Sequence, residues 1–320
     1  MDILTDPTAM AVVGSLKSVG YSLADVTTAW TPPIPSTDPP FAFGTNPGGA
    51  PNVQSTIAAM QHFGMKIARF WTTGPFTSPP ASSLWTLPLQ YSAAGIQNVA
   101  VLNFQNSAVR CKAPALSDWT NYLNAIPAPA NTGISYFEIG NEIDFTAYYN
   151  DSPANYAALL RVAAPILRAK GYKIICGNVL YGLTWLNTLA GLGAMTDCDY
   201  VGRHAYENNA AAALNDYQSL VTFAIAQGKG VFCTEVGLHG NSANLPQWAA
   251  ETQKLYAGLK TLNATLNTQH STLNTQSAIY LQFPLYPTGT TASPQSLFQS
   301  NGEPNEPFYS AAERALAIQV

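Results

Sequence analysis

Along this chain, short apolar runs alternate with stretches in which apolar residues return every third or fourth position. The runs cover residues 24–30, 65–71, 98–104, 134–139, 172–176, 199–206, 230–235 and 278–283. Runs of that length, bounded by turn-forming residues, predict β-strands. The stretches between them predict helices. Residues 53–63 carry Val53, Ile57 and Met60 on one face and stop at Gly64, which suits the left-handed turn that ends many helices. Ser152-Pro153 supplies an N-cap followed by proline at the first helical position, and the helix it opens stops at Gly171. Further helices are predicted at 119–126, 185–192, 214–227, 246–267 and 308–318.

Alternation of this kind implies a parallel sheet, because a parallel connection needs a crossover long enough to hold a helix. Eight such units predict an α/β fold, a single (β/α)8 TIM barrel over residues 1–320, with a Pro/Gly-rich loop at 32–51. An open doubly wound sheet would share the alternation, but no G-x-G-x-x-G follows the first strand. Thr265-Leu266-Asn267-Thr268-Gln269 recurs as residues 272–276, which reads as a duplicated helix extension or surface loop.

Composition narrows the partners. Only 10% of the 320 residues are charged, against about 25% in an average soluble domain. The net charge of −4 excludes a broad basic surface, so no nucleic-acid partner is expected. A hydrophobic content of 47% excludes a disordered chain. No run approaches the roughly 18 apolar residues of a membrane span, and the chain is expected to work without a membrane, as a monomer. No signal peptide is visible. The abundance of Thr, Ser, Asn, Gln and Pro nevertheless predicts an exported protein, with a cytoplasmic location left open. Cys176 and Cys233 lie in apolar runs and read as small buried hydrophobes, while a Cys111–Cys198 bridge is compatible with the spacing.

In a barrel, chemistry gathers at the C-terminal ends of the strands. Those ends carry Arg69 and Trp71, then Asn103, Gln105 and Asn106, then Asn141, Glu142 and Asp144. Asn178 follows, then His204, Tyr206 and Glu207, then Glu235 and His239, and last Gln282, Phe283 and Tyr286. Acidic residues are scarce, yet Glu142 and Glu235 each close an apolar strand. A carboxylate in such a place is costly unless it is paired or used. Alternation puts Val231, Cys233 and Glu235 on one face. Glu138, in mid-strand, reads as a helix cap or a partner for an arginine.

These words resemble a known clan. Phe137-Glu138-Ile139-Gly140-Asn141-Glu142, Arg69 on the second strand, His204-Ala205-Tyr206 after the sixth and Thr234-Glu235 on the seventh are similar to retaining β-glycosidases on a (β/α)8 barrel. That clan holds cellulase-like, mannanase-like and β-1,3-glucanase-like hydrolases. One departure is Ile143, where many members carry proline. The resemblance implies that Glu142 is the general acid/base and Glu235 the nucleophile, with carboxyl groups about 5–5.5 Å apart. It implies that Arg69 keeps Glu235 ionised, Asn141 bonds the sugar 2-OH, Tyr206 bonds the nucleophile and His204 lines the same wall. Trp71, Tyr149 and Phe283 are expected to stack on sugar rings, with Trp30, Tyr148, Tyr181 and Tyr286 as further candidates. Trp119, Trp185 and Trp248 fall in helices and read as packing residues.

The expected substrate is a β-linked polysaccharide or oligosaccharide, cleaved in an endo fashion, with no cofactor. Three alternatives share the residues: a glycan-binding barrel without catalysis, a transglycosylase, and a metal-dependent hydrolase using His204, His239, Glu207 and Glu235. No H-x-H follows the first strand, so no metal is expected.

Overall fold

The computed structural model describes residues 42–45, 53–74, 76–105, 111–238, 244–269, 278–281, 306–307 and 309–312. Nine strands are described: β1 (Ala42–Thr45), β2 (Ile67–Thr73), β3 (Gln97–Asn103), β4 (Tyr136–Ile139), β5 (Lys173–Cys176), β6 (Tyr200–Val201), β7 (Ala205–Glu207), β8 (Gly230–Leu238) and β9 (Ala278–Leu281). Every pairing is parallel. The order is β6-β5-β4-β3-β2-β1-β9-β8-β7, and β6 also pairs with β8. The helices are α1 (Val53–His62), α2 (Thr86–Ala93), α3 (Leu116–Ala125), α4 (Pro129–Thr132), α5 (Pro153–Ala169), α6 (Thr184–Gly191), α7 (Ala210–Ala226) and α8 (Leu245–Gln269).

Two sequence expectations change here. The run at 24–30 lies outside the described residues, and β1 instead falls inside the expected loop at 32–51. Four residues between prolines carry little periodic signal, yet Ala42–Thr45 pair with β2 on one edge and β9 on the other. The expected strand at 199–206 is broken into β6 and β7. Gly202 sits at the break, because an added Cβ would press on Asn178 Oδ1 and the Phe232 carbonyl. A short 3-10 turn and α2 occupy residues 82–93, where apolar positions surround Pro88 without a clear face. The first copy of the repeat ends α8, and the second lies outside the described residues. Of the expected last helix, residues 309–312 are helical.

Two apolar clusters hold the sheet. The larger packs helices against the outer faces of the strands, and Trp119 is wholly buried in it with its Nε1 donating to the Leu159 carbonyl. The smaller consists of Ile67, Val99, Tyr136, Ile175, Tyr200 and Phe232, one residue from each of six strands. The Phe232 ring lies 5.1 Å from Tyr136 and 5.8 Å from Tyr200. This cluster is the floor on which the polar residues stand.

Strand β8 does not alternate as expected. Between the Val201–Val231 and Ala205–Val236 pairs it advances five residues while the facing chain advances four. Its register against β9 shifts between Cys233 and Val236 as well. The extra residue is a β-bulge, a device that re-aims side chains. Val231, Cys233 and Val236 pack into the outer cluster and Phe232 into the inner one. Glu235 therefore does not share the face of Val231 and Cys233. The bulge turns it inward beside Thr234.

All four cysteines are free. Cys111 Sγ donates to the Ala147 carbonyl, and Cys198 lies against Cys176, so the Cys111–Cys198 bridge is absent. Adding a methyl at Gly202 overpacks the strand break. Gly202→Ala is expected to lower unfolding stability by about 1–3 kcal/mol. Gly191→Ala, in open space at the end of α6, should stay within about 0.5 kcal/mol of the parent or gain. Urea midpoints measured at constant slope check both.

Candidate active site

Arg69 stands in the middle of β2 rather than at its end, and is 1% exposed. A buried guanidinium needs every donor satisfied. Its Nε donates to Glu138 Oε2 at 2.8 Å, its Nη1 to Glu235 Oε1 at 2.5 Å and its Nη2 to Asn141 Oδ1 at 2.8 Å. One rigid fork thus ties β2 to β4, to the turn after β4 and to β8. Trp71, two residues along β2, places its ring 4.9 Å from the guanidinium carbon.

Glu138 is the hidden member of the group. It is fully buried and accepts only from donors: Arg69 through Oε2, and Asn178 Nδ2 (3.1 Å) and Thr234 Oγ1 (2.9 Å) through Oε1. Asn178 Oδ1 in turn accepts from the Thr234 backbone N–H at 3.2 Å. The expectation of an arginine partner for Glu138 holds. Its place beneath the site, and that of Thr234, were not anticipated. The readable signal was a pair of opposite charges, Arg69 and Glu138, both inside apolar strands.

Glu142 is held by backbone as much as by side chain. Gly140 turns the chain at φ 87°, and an added Cβ there would lie 2.8 Å from the Phe104 ring. Glu142 itself has φ 42°, a left-handed conformation that costs a non-glycine residue of order 1 kcal/mol or more. The Ile143 N–H donates to the Asn178 carbonyl and the Phe145 N–H to the Glu142 carbonyl, which over-determines the turn.

His204 links the two halves. Its Nε2 lies 3.0 Å from Thr234 Oγ1, and its Nδ1 lies 2.9 Å from Glu142 Oε1 and 3.7 Å from Glu235 Oε2. The hydrogen count assigns the tautomer. Thr234 has one hydroxyl hydrogen and gives it to Glu138, so its oxygen accepts from His204 Nε2–H. The close contact between Nδ1 and Glu142 Oε1 then holds a single proton. It sits on Nδ1 opposite a carboxylate, or on Glu142 opposite a bare nitrogen.

Glu235 is 14% exposed, enough to be reached from solvent. Tyr206 donates its hydroxyl to Oε2 at 2.5 Å, as expected. Burial raises the carboxyl's affinity for a proton. The charge at His204, the Arg69 guanidinium and the hydrogen bonds from Tyr206 and Arg69 outweigh it and hold Glu235 below its ordinary value of 4.5. Oxygens of Glu142 and Glu235 and a ring nitrogen of His204 all lie within 4.8 Å of one another. That donor set has the chemistry of a cation site. Each donor is already engaged, though, and Arg69 supplies positive charge at Glu235. Of the ligands that the metal-dependent alternative would use, His204 and Glu235 meet. His239 lies outside the described residues.

Among the expected sugar-stacking residues, Trp71 is 37% exposed at the rim. Tyr149 is not part of the site. It is 1% exposed and packs on Phe104, Tyr156 and Trp185, because the turn after β4 sends adjacent side chains to opposite sides. Its neighbour Tyr148 faces the carboxylates. Burial, Glu142 and Glu235 all raise its pKa. Phe283, with Gln282, Tyr286, Asn106 and Trp30, lies outside the described residues. Asp144 accepts from the Leu180 and Tyr181 backbone N–H groups, both at 2.7 Å.

Neither a family model nor a curated protein sequence matches the chain. Solved structures do match in fold. A family 39 glycoside hydrolase from Bacteroides cellulosilyticus WH2 superposes at TM-score 0.65 with 15% identity over 88% of this chain, which spans 64% of that protein's length. A glucosidase from Croceicoccus marinus gives 0.64 and 13% over 88% of this chain and 68% of its own. A family 128 endo-β-1,3-glucanase from Amycolatopsis mediterranei, in complex with laminaritriose, gives 0.55 and 19% over 87% of this chain and 99% of its own. The fold is similar to that of these glycoside hydrolases.

Two outcomes test the network. In Glu138→Gln an amide NH2 must face a donor in a dry site, and breaking the buried pair should cost about 3–5 kcal/mol of stability in chemical denaturation. Imidazole nitrogen NMR should show His204 protonated at Nε2 in the parent, with that signal lost or redistributed in Thr234→Val and kept in Thr234→Ser.

Proposed function

We propose that this protein is a retaining β-glycoside hydrolase, with Glu235 as nucleophile and Glu142 as general acid/base. The observation that carries the reading is the approach of the two carboxylates within 4.8 Å. Retaining enzymes need about 5–5.5 Å between carboxyl groups, while inverting ones leave about 6.5–9.5 Å for a water. The fold shared with glycoside hydrolases supports hydrolysis of glycosyl bonds. We infer further that the sheet is a closed (β/α)8 barrel, since the β6–β8 pairing joins strands that otherwise stand near opposite ends of the order.

In the first step a Glu235 oxygen attacks the anomeric carbon, the bond to the leaving oxygen breaks, and that oxygen takes the proton held at Glu142 and His204. Arg69 and Tyr206 keep Glu235 ionised and aimed before attack. They release part of their hold as its charge passes into the glycosyl ester. In the second step Glu142 takes a proton from water, the water oxygen attacks the same carbon, and Glu235 leaves. The Thr234–His204 contact steadies the proton that both steps exchange. Asn141 gives its oxygen to Arg69, which leaves its NH2 for the sugar 2-OH, a bond that strengthens toward the transition state.

The substrate we propose is a β-1,3-glucan cut within the chain. Support comes from the laminari-oligosaccharide complex of the endo-β-1,3-glucanase, whose length this chain spans almost completely. A polymer of that kind is met outside the cell, in line with the exported composition. A purely binding role gives no reason for the left-handed backbone at Glu142 or for two carboxylates held so close.

The first product released from a β-1,3-glucan oligosaccharide should be the β-anomer by proton NMR, and an inverted product would sink the retaining assignment. Glu142→Gln should lose about 10²- to 10⁴-fold in kcat/KM on substrates with poor leaving groups, and far less on activated aryl glycosides. Arg69→Met removes a charge that keeps Glu235 ionised, so the acid limb of kcat/KM should move to higher pH.

A further inference from the structure

Strands β4 and β5 form a parallel ladder, whose bonds recur at every second residue. The Lys173 N–H donates to the Ser135 carbonyl, so Ile175 comes next with Phe137, and Gly177 with Ile139. The last of these bonds is not made directly. The Tyr156 hydroxyl stands between the two groups, accepting from the Gly177 N–H at 2.7 Å and donating to the Ile139 carbonyl at 2.5 Å. With an oxygen inserted at a tetrahedral angle, the nitrogen and the carbonyl oxygen stand roughly 4 Å apart, against about 2.9 Å in a direct bond.

Tyr156 comes from the first turn of α5. It is fully buried, and its ring sits among Phe104, Tyr149 and Trp185 at centroid distances of 6.5, 5.6 and 6.5 Å, which fixes the reach of the hydroxyl. Cys176 Sγ lies 3.8 Å from the hydroxyl. Burial raises the phenol well above its ordinary range, so it keeps the proton it donates. Gly177 is the matching half of the arrangement. An added Cβ there would lie 2.5 Å from the Ile139 oxygen and 2.5 Å from Ile143 Cγ2, so this approach is open only to glycine.

The insertion falls where β4 ends and the Glu142 turn begins. On the β3 side, the Gly140 N–H still donates to the Leu102 carbonyl. On the β5 side, the next direct bond runs from the Ile143 N–H to the Asn178 carbonyl. Between them, the hydroxyl sets how far Ile139 stands from β5. Packing asks only for the ring. A phenylalanine would fill the same space and let the ladder close.

We propose that Tyr156 is a positioning residue: its hydroxyl, set into the β4–β5 ladder, holds the following turn at the distance from β5 that aims Glu142 at the leaving oxygen. The inference rests on the glycosidase reading of Glu142 and adds to it what places that residue. In Tyr156→Phe the Gly177 N–H and the Ile139 carbonyl close on each other, which draws the end of β4 toward β5 by about 1 Å. Misplacing the proton donor by that much should lower kcat/KM on a β-1,3-linked oligosaccharide about 10- to 100-fold. On a dinitrophenyl β-glycoside, whose leaving group needs no proton, kcat/KM should fall by less than about 3-fold. A variant that has only lost stability has less active protein and falls equally on both substrates. An equal loss, or no loss, overturns the proposal. A second measurement uses the parent and needs no turnover. The buried Tyr156 hydroxyl proton should exchange slowly and show a nuclear Overhauser contact to the Gly177 amide proton, and absence of that contact overturns the insertion. If the parent cleaves no β-glycoside, the glycosidase reading fails, and the same contact still decides whether the hydroxyl occupies the ladder.

Discussion

One guanidinium organises this protein's chemistry. Arg69 sits where water cannot reach, so its charge and its donors have to be met by the chain itself. The three partners come from different elements: Glu138 inside β4, Asn141 in the turn that follows and Glu235 on β8. Removing Glu138 or Asn141 takes an acceptor from a buried donor. Glu235 keeps some exposure to solvent, while Asn141 is buried in its turn and Glu138 lies beneath and fastens Thr234 and Asn178. A lysine could supply the charge but not three donors in fixed directions.

Backbone irregularities complete what Arg69 begins. The bulge in β8 turns Glu235 away from the face it would otherwise share with Cys233. His204 lies in the break between β6 and β7, where its backbone N–H donates to the Val179 carbonyl and its ring spans Thr234 and Glu142. Glu142 takes a left-handed conformation just after Gly140. These three departures fall on Glu235, His204 and Glu142, which meet at one place, above the six-residue apolar floor.

The aromatic residues divide along the same line. Tyr148 and Tyr149 are neighbours in sequence with opposite fates, one at the cleft and one in the core. Phe104, Trp119, Tyr149 and Tyr156 fill space behind β4, where a lost ring would leave a cavity. Trp71 and Tyr181 keep faces in solvent, and the Tyr181 backbone N–H donates to the Asp144 carboxylate.

The amino-acid order by itself determined the alternation of strand and helix, the parallel sheet and the candidate residues Arg69, Asn141, Glu142, His204, Tyr206 and Glu235. Those follow from periodicity and from polar groups at the ends of apolar runs, which are properties of neighbours in sequence. It did not determine that Glu138 and Thr234 lie under the site, that β1 sits between prolines, that Tyr148 rather than Tyr149 faces the cleft, or that β8 carries an extra residue. Each of these depends on pairs far apart in the chain: Arg69 and Glu138 are separated by 69 positions and Glu138 and Thr234 by 96. A strand's register and a side chain's face are set by what the finished sheet brings opposite it, and only the tertiary structure holds that information.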